Sequence, residues 1–353
     1  MKKNIRIVAA YSLIHFAVDF SCIAILTGIV LPAVSGRNEL ILCVLLYNAF
    51  AFAFQLPIGL LGDFLNKNAL LSALGCIMVA FSWLIPNIAA VCIVAGIGNA
   101  CFHVGGGIDV LNISNRKAAF PGIFVAPGAM GVFLGAMVVN KGFNKFYLIA
   151  ILMILCAAVL CFLFSAVKNK YNIQNTRPSL ELKINGKTLA MAACLVATIF
   201  LRSYMGTILK YSFKTDILMG TLFVVCIVLG KAFGGIIGDK FGWLKTSMIT
   251  LLTAAILFAF SFKSTAAAMI AILLFNMTMP ITLTALANSL KLGKGFAFGL
   301  TTFALFLGVI PAAFGLKSCF FTVFGLVVIT VISACILALG LKLYSAHSVK
   351  SHD

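Results

Sequence analysis

Residues 59–63 read Gly-Leu-Leu-Gly-Asp, and residues 235–239 read Gly-Ile-Ile-Gly-Asp. One such stretch alone would pass for a turn and a helix cap. Two copies standing half of the 353-residue chain apart mark an internal duplication. Weaker matches follow at nearly the same offset, Asn99 with Asn276 and Gly122 with Gly299.

Around these copies the chain is too apolar for water. Apolar residues make up 63% of it and charged ones 10%, against about half and about a quarter in soluble domains. Apolar runs bounded by charge, Pro, Gly or Asn fall at 7–34, 40–62, 69–86, 88–112, 118–140, 146–167, 188–209, 217–238, 246–262, 266–289, 295–315 and 319–341. At roughly 20 residues per crossing these predict an all-α membrane protein of twelve transmembrane helices, with the two quoted stretches in the loops after the second and eighth. The one long polar stretch, 168–187 (KNKYNIQNTRPSLELKINGK), divides the set six and six. The expected organisation is a six-helix bundle at 1–167, a cytoplasmic linker at 168–187 and a pseudo-symmetric second bundle at 188–353.

The formal charge of +18 reports loop topology rather than a polyanionic partner, so no nucleic acid is expected. With the amino terminus inside, seventeen loop Lys and Arg lie on the inner side and seven on the outer, which places both termini in the cytoplasm. Lys2 and Lys3 followed by an apolar run could open a signal peptide. The run is too long for one, is interrupted by His15 and Asp19, and has no A-x-A-like site, so it reads as the first span. The eleven cysteines stand singly in apolar runs and read as small buried hydrophobes.

The repeat resembles the G-x-x-x-D-[RK]-x-G-[RK]-[RK] signature of the major facilitator superfamily. The second copy supplies Gly235, Asp239, Lys240, Gly242 and a later Lys245; the first keeps Gly59, Asp63 and Lys67, with Phe64 and Asn66 in place of a basic residue and a glycine. The resemblance covers the whole chain and implies two six-helix halves that rock about a central site, with Gly59, Asp63, Lys67, Gly235, Asp239 and Lys240 forming conformational latches. A narrower likeness, to the fosmidomycin-resistance branch, lies in Gly96-Ile97-Gly98-Asn99-Ala100-Cys101-Phe102-His103, with Val104-Gly105 where that branch has Pro-Glu. Pro127 followed by Gly128, Gly131 and Gly135 occupies the fifth helix, where the family's antiporters carry a Gly-Pro motif; small-residue packing is the simpler use of these glycines.

Ionisable groups at bilayer depth cost at least about 2.5 kcal/mol on insertion scales, so those present are expected to face a cavity. His15, Asp19, His103, Arg202 and Lys231 qualify. His15 and Asp19 share one helical face, as do Asn99 and His103, because each pair is four residues apart. At 1.5 Å per residue, Asp19 and His103 lie roughly 20 Å from Arg6 and Arg116, and the resemblance makes them neighbours across helices one and four. A carboxylate and an imidazole so placed can exchange a proton; interior hydrogen bonding is the plainer use of either histidine. His15, Asp19 and His103 are also types that a transition metal accepts, although spacing alone does not assemble them and no metal is expected. Arg202 either pairs with Asp19 or offers a planar fork to an anion. Lys231 can snorkel, Asn276 can join a polar lining, and Asp109 is expected in a helix-end ion pair with Arg116.

The expected function is secondary transport of a small organic solute by a monomer in the plasma membrane. The coupling ion is expected to be the proton, efflux is favoured over uptake, and an anionic substrate over a neutral one. The alternatives are an uptake permease for a neutral solute and a non-transporting receptor or assembly protein on the same fold. No H-E-x-x-H, G-x-S-x-G or carboxylate cluster points to an enzyme, and no cofactor is implied.

Overall fold

The computed structural model describes residues 2–168, 175, 186–314 and 320–349. The linker expected at 168–187 lies outside the described residues except at Lys168, Asn175, Gly186 and Lys187. Eleven helices are long and apolar enough to cross a membrane: α1 Asn4–Ala33, α2 Arg37–Leu65, α4 Ile88–Ile113, α5 Ala119–Asn140, α6 Phe146–Leu163, α7 Gly186–Ile208, α8 Ile217–Phe241, α9 Trp243–Phe260, α10 Thr265–Ser289, α11 Lys294–Pro311 and α12 Val323–Ala346. The shorter apolar α3, Asn68–Ser82, completes the twelve. No strand occurs among the described residues. The chain is a multi-pass membrane protein, and large apolar side chains such as Leu13, Phe162, Ile256 and Phe324, all more than 60% exposed, are what a lipid environment would cover.

Two boundaries differ from the apolar runs. Helix begins at Lys2 and the last helix continues to Val349, because hydropathy marks only the part of a helix that lies in hydrocarbon. Asp63 and Asp239, expected in loops, sit in the last turns of α2 and α8, which end at Asn66 (φ 51°) and Gly242 (φ +94°). Those positive-φ residues turn the chain three residues after each acid. Polar caps set other helix starts: the side chains of Asn87, Asp216 and Ser264 accept from Ala90, Met219 and Ala267 N–H. Between α7 and α8 the half-buried Lys214 ammonium donates to the Leu209 carbonyl and lies 4.8 Å from the Phe223 ring centre; its partial burial lowers its pKa from the ordinary lysine value.

The residues pack as two compact units. The first comprises 1–115, 127–178 and 292–303; the second comprises 116–126, 179–291 and 304–353. In the first, α3 packs on α4 and α6, and α1 on α5 and α4. In the second, α9 packs on α10 and α12, repeating the α3 pattern six helices later. Helix α4 is the core of the first unit. Its Gly98 and Gly105 lie so close to α3 that a Cβ would meet the Gly75 and Asn68 carbonyls, so backbone meets backbone and dispersion contacts accumulate. Two π-helical turns interrupt the α pattern here, Leu26–Val30 in α1 and Ala49–Ala53 in α2.

Asp109 does not make the expected helix-end ion pair. Its carboxylate accepts from Tyr11 Oη and Asn68 Nδ2, each at 2.6 Å, and it is buried. Asn115 and Arg116 take positive φ values (51° and 64°) as α4 ends, so the helical spacing that would carry Arg116 back along α4 is lost there. The Asn68 side chain also meets Asn175, whose amide donates to the Gly62 carbonyl at 2.8 Å and whose backbone N–H donates to Asn66 Oδ1 at 3.1 Å. One described linker residue is thereby tied to the end of α2.

Candidate functional site

Helix α5 presents glycines where α1 presents polar side chains. A Cβ at Gly128 would fall on the Asp19 carboxylate and the His15 ring, and at Gly131 or Gly135 on the backbone of Phe16 and Phe20. The stripe therefore packs α5 on α1, as the small-residue spacing suggested, and its first member also closes one wall of a polar cluster.

The cluster joins α1 to α4. His15 Nε2 lies 3.2 Å from Asp19 Oδ2 and 2.8 Å from His103 Nε2, while His103 Nε2 lies 3.6 Å from Asp19 Oδ1. The two imidazoles meet edge to face, with centroids 4.4 Å apart. His103 Nδ1 stands 2.8 Å from the carbonyl of Asn99. A carbonyl can only accept, so Nδ1 carries a proton and the Nε2 of neutral His103 turns its lone pair toward His15 and Asp19. Asn99 Nδ2 donates to Asp19 Oδ1 at 3.0 Å and lies 3.7 Å from Cys22 Sγ; Asn99 Oδ1 has no hydrogen-bond partner among the described residues. His15, His103 and Asn99 are buried, and the Asp19 side chain keeps 15% exposure.

That exposure opens into a cavity of about 350 Å³ within the first unit, lined by Asp19, Asn99, Thr27, Cys43, Tyr47 and Asn48 among others. Leu26, Thr27 and Val30 of one π turn and Phe52 of the other also line it. A π turn re-aims the side chains around it and frequently marks a functional site.

The duplicated acids are built alike. Asp63 accepts from the backbone N–H groups of Gly295 and Phe296, both at 2.9 Å, at the start of α11. Asp239 accepts from those of Ala118 and Ala119, at 2.9 and 2.8 Å, at the start of α5, and also from Trp243 Nε1 at 3.0 Å. Each satisfies N–H groups that a helix leaves unpaired and places negative charge at the positive end of its dipole. Glycine repeats in step: a Cβ at Gly59 would strike the Gly295 carbonyl, and one at Gly235 the Ala118 carbonyl. The basic members lie apart from these contacts. Lys67 is exposed, Lys240 Nζ stands 5.2 Å from the Phe241 ring centre, and neither pairs with an acid among the described residues.

No protein-family model and no curated protein sequence matches the chain. Solved structures do. FucP, a major facilitator superfamily transporter captured in the outward conformation, aligns with a TM-score of 0.62 at 13% identity, over 95% of this chain and 99% of that one. This is the major facilitator fold. A single-residue variant of the E. coli fucose:proton symporter FucP gives 0.61 at 14% identity, over 97% and 98%. The human organic anion transporter MFSD10 gives 0.65 at 14% identity, over 97% and 99%.

Within the major facilitator fold the other candidates belong to the second unit. Arg202 is buried; its Nη1 donates to Thr282 Oγ1 at 3.1 Å, and its Nη2 has no hydrogen-bond partner among the described residues. Asn276 donates to the Ile272 carbonyl at 2.8 Å, a bond internal to its helix. Lys231 is half-buried, and its carbonyl faces Gly122, much as the Gln55 carbonyl faces Gly299 in the first unit. The structure thus gathers His15, Asp19, Asn99 and His103 into one cluster. The sequence assigned Gly128 to packing and Cys22 to the small buried hydrophobes, and neither to this cluster. Cys22 follows Asp19 by three residues and His15 by seven, so the face of α1 that carries the pair also carries the thiol.

Proposed function

We propose that the chain is a secondary transporter that moves a small organic anion across the plasma membrane by alternating access of its two six-helix halves, with the proton as coupling ion and outward movement favoured. The observation that carries this reading is the His15–Asp19–His103 cluster at the wall of a cavity inside a major facilitator fold. A carboxylate touching two imidazoles can pass a proton among three atoms as the cavity exchanges one side of the membrane for the other. Asp63 and Asp239 hold the helix starts that have to separate for the inner side to open, with both termini cytoplasmic and the monomer as the working unit. The proton coupling of FucP is in keeping with the coupling ion proposed, and the organic anions of MFSD10 with the substrate charge; FucP, a symporter, does not speak for outward movement.

The test is flux in proteoliposomes carrying a trapped pH dye, with fosmidomycin as an anionic phosphonate, L-fucose as a neutral solute and tetraphenylphosphonium as a lipophilic cation. Solute-induced proton movement is expected with the phosphonate. Asp19→Asn should remove gradient-driven accumulation while solute exchange continues; undiminished accumulation in that variant would exclude Asp19 as the coupling group.

Substrate charge rests on Arg202. A buried guanidinium with a spare donor favours a carboxylate or phosphonate over a cation. Arg202→Glu is expected to weaken binding of the phosphonate by at least about 100-fold and to leave L-fucose binding within about twofold, read by ligand-induced thermal shift. If only the lipophilic cation binds, and binds Arg202→Ala as well as the parent, Asp19 becomes the substrate contact and the anion reading falls.

A further inference from the structure

We propose that His15, Asp19 and His103 form a binding site for one divalent transition-metal ion of the zinc, cobalt and nickel class. The ligand atoms of the three residues all lie within 4.8 Å of one another. A tetrahedral ion with bonds of about 2.0–2.1 Å sets its ligand atoms roughly 3.3–3.4 Å apart. The three side chains form a triangle: the two imidazole nitrogens stand 2.8 Å apart, Asp19 Oδ2 lies 3.2 Å from His15 Nε2 and Asp19 Oδ1 lies 3.6 Å from His103 Nε2, so each carboxylate oxygen faces one ring and a turn of the carboxylate presents one oxygen to an ion held by both.

Three further features fit a metal. The hydrogen bond from His103 Nδ1 to the Asn99 carbonyl fixes the ring with its Nε2 lone pair facing the triangle, the supporting bond that metal-bound histidines almost always make. Asn99 Nδ2 orients the carboxylate in the same way. Asp19 and Asn99 border the cavity, so a fourth position is open to water or to an anionic oxygen of a solute. In the absence of metal, two facing ring nitrogens at 2.8 Å need a proton between them. A divalent ion takes the place of that proton, and the mixed nitrogen and oxygen donors select a borderline ion over calcium or magnesium. Gly128 leaves the room this requires, since a side chain there would occupy the space beside His15 and Asp19.

This inference uses the cluster on which the coupling proposal rests, so the experiment separates the two. Untagged, chelator-stripped protein is titrated with Co2+ and followed by the visible absorption of tetrahedral cobalt, with Zn2+ displacement by calorimetry giving the stoichiometry. The other two of the four histidines, His347 and His352, are replaced by alanine throughout. One ion per chain is expected. His103→Ala should weaken Zn2+ binding by more than about 100-fold, and Asn99→Ala, which removes only a supporting bond, by about 10–100-fold. Thermal melts identify any variant that has not folded. No saturable cobalt band in the parent, or an unchanged band in folded His103→Ala, overturns the metal site. Metal failure with uncoupling in Asp19→Asn leaves the transport reading standing; a metal site with normal coupling in Asp19→Asn overturns the coupling role alone.

Discussion

Gly128→Ala is expected to reduce proton-coupled flux by at least about tenfold per folded molecule. The added methyl meets Asp19 Oδ2 and His15 Nε2, the two atoms of the shortest carboxylate–imidazole contact in the cluster. Overpacking of this kind costs roughly 1–3 kcal/mol and is relieved by moving side chains off their rotamers or by separating α1 from α5. Either response lengthens the 3.2 Å contact on which the proposed proton exchange relies. Gly135→Ala is the control, because its methyl meets the backbone of Phe20, whereas one at Gly131 would also press on Asp19 Cβ. It should lower the melting temperature while the ratio of proton to solute movement stays at the parental value. Parental coupling in a folded Gly128→Ala protein would show that the close approach serves packing alone.

The second large effect concerns the paired caps. Asp63→Asn with Asp239→Asn removes both charges and turns an amide nitrogen toward N–H groups that had a carboxylate oxygen. Cap and dipole contributions of about 0.5–2 kcal/mol at each site add to a bias that corresponds to a change in population of about fivefold or more. The reporter is Ile108→Cys in a background free of other cysteines. Ile108 is fully buried and packs against the positions of Gly62 and Gly295, beside the Asp63 cap. Maleimide labelling at that site should accelerate about tenfold in the double variant, and less in either single one. Equal rates in parent and double variant would remove the latch role.

Much of the architecture was legible because two of its signals are local. Hydrophobic run length gave twelve spans, and the repeated Gly-x-x-Gly-Asp gave the duplication. The pairs His15 with Asp19 and Asn99 with His103 could be placed on faces by helical periodicity alone. What stayed hidden depends on tertiary contact. The π turns at 26–30 and 49–53 have no proline or charge to announce them. Gly128 looks like any small-residue packing position until α1 lies against it. Proximity in sequence pointed Asp109 to Arg116, whereas Tyr11 and Asn68, far away along the chain, satisfy it. Lys67 and Lys240 carry the family pattern without taking part in the caps, since backbone N–H groups already occupy the oxygens of both acids.

Helix α3 has 15 residues and spans about 22 Å, whereas the hydrocarbon of a typical bilayer is about 30 Å thick. Its Leu74, Ile77 and Phe81 are exposed, so in a bilayer the mismatch would fall on the surrounding acyl chains, through local thinning or headgroups that dip toward the helix ends. Because α3 is packed along α4, the helix that carries Asn99 and His103, that elastic load bears on the backbone beneath the cluster. The thickness of the host membrane thus becomes a mechanical variable for this protein, with thin, short-chain bilayers fitting it and thick, ordered ones straining it.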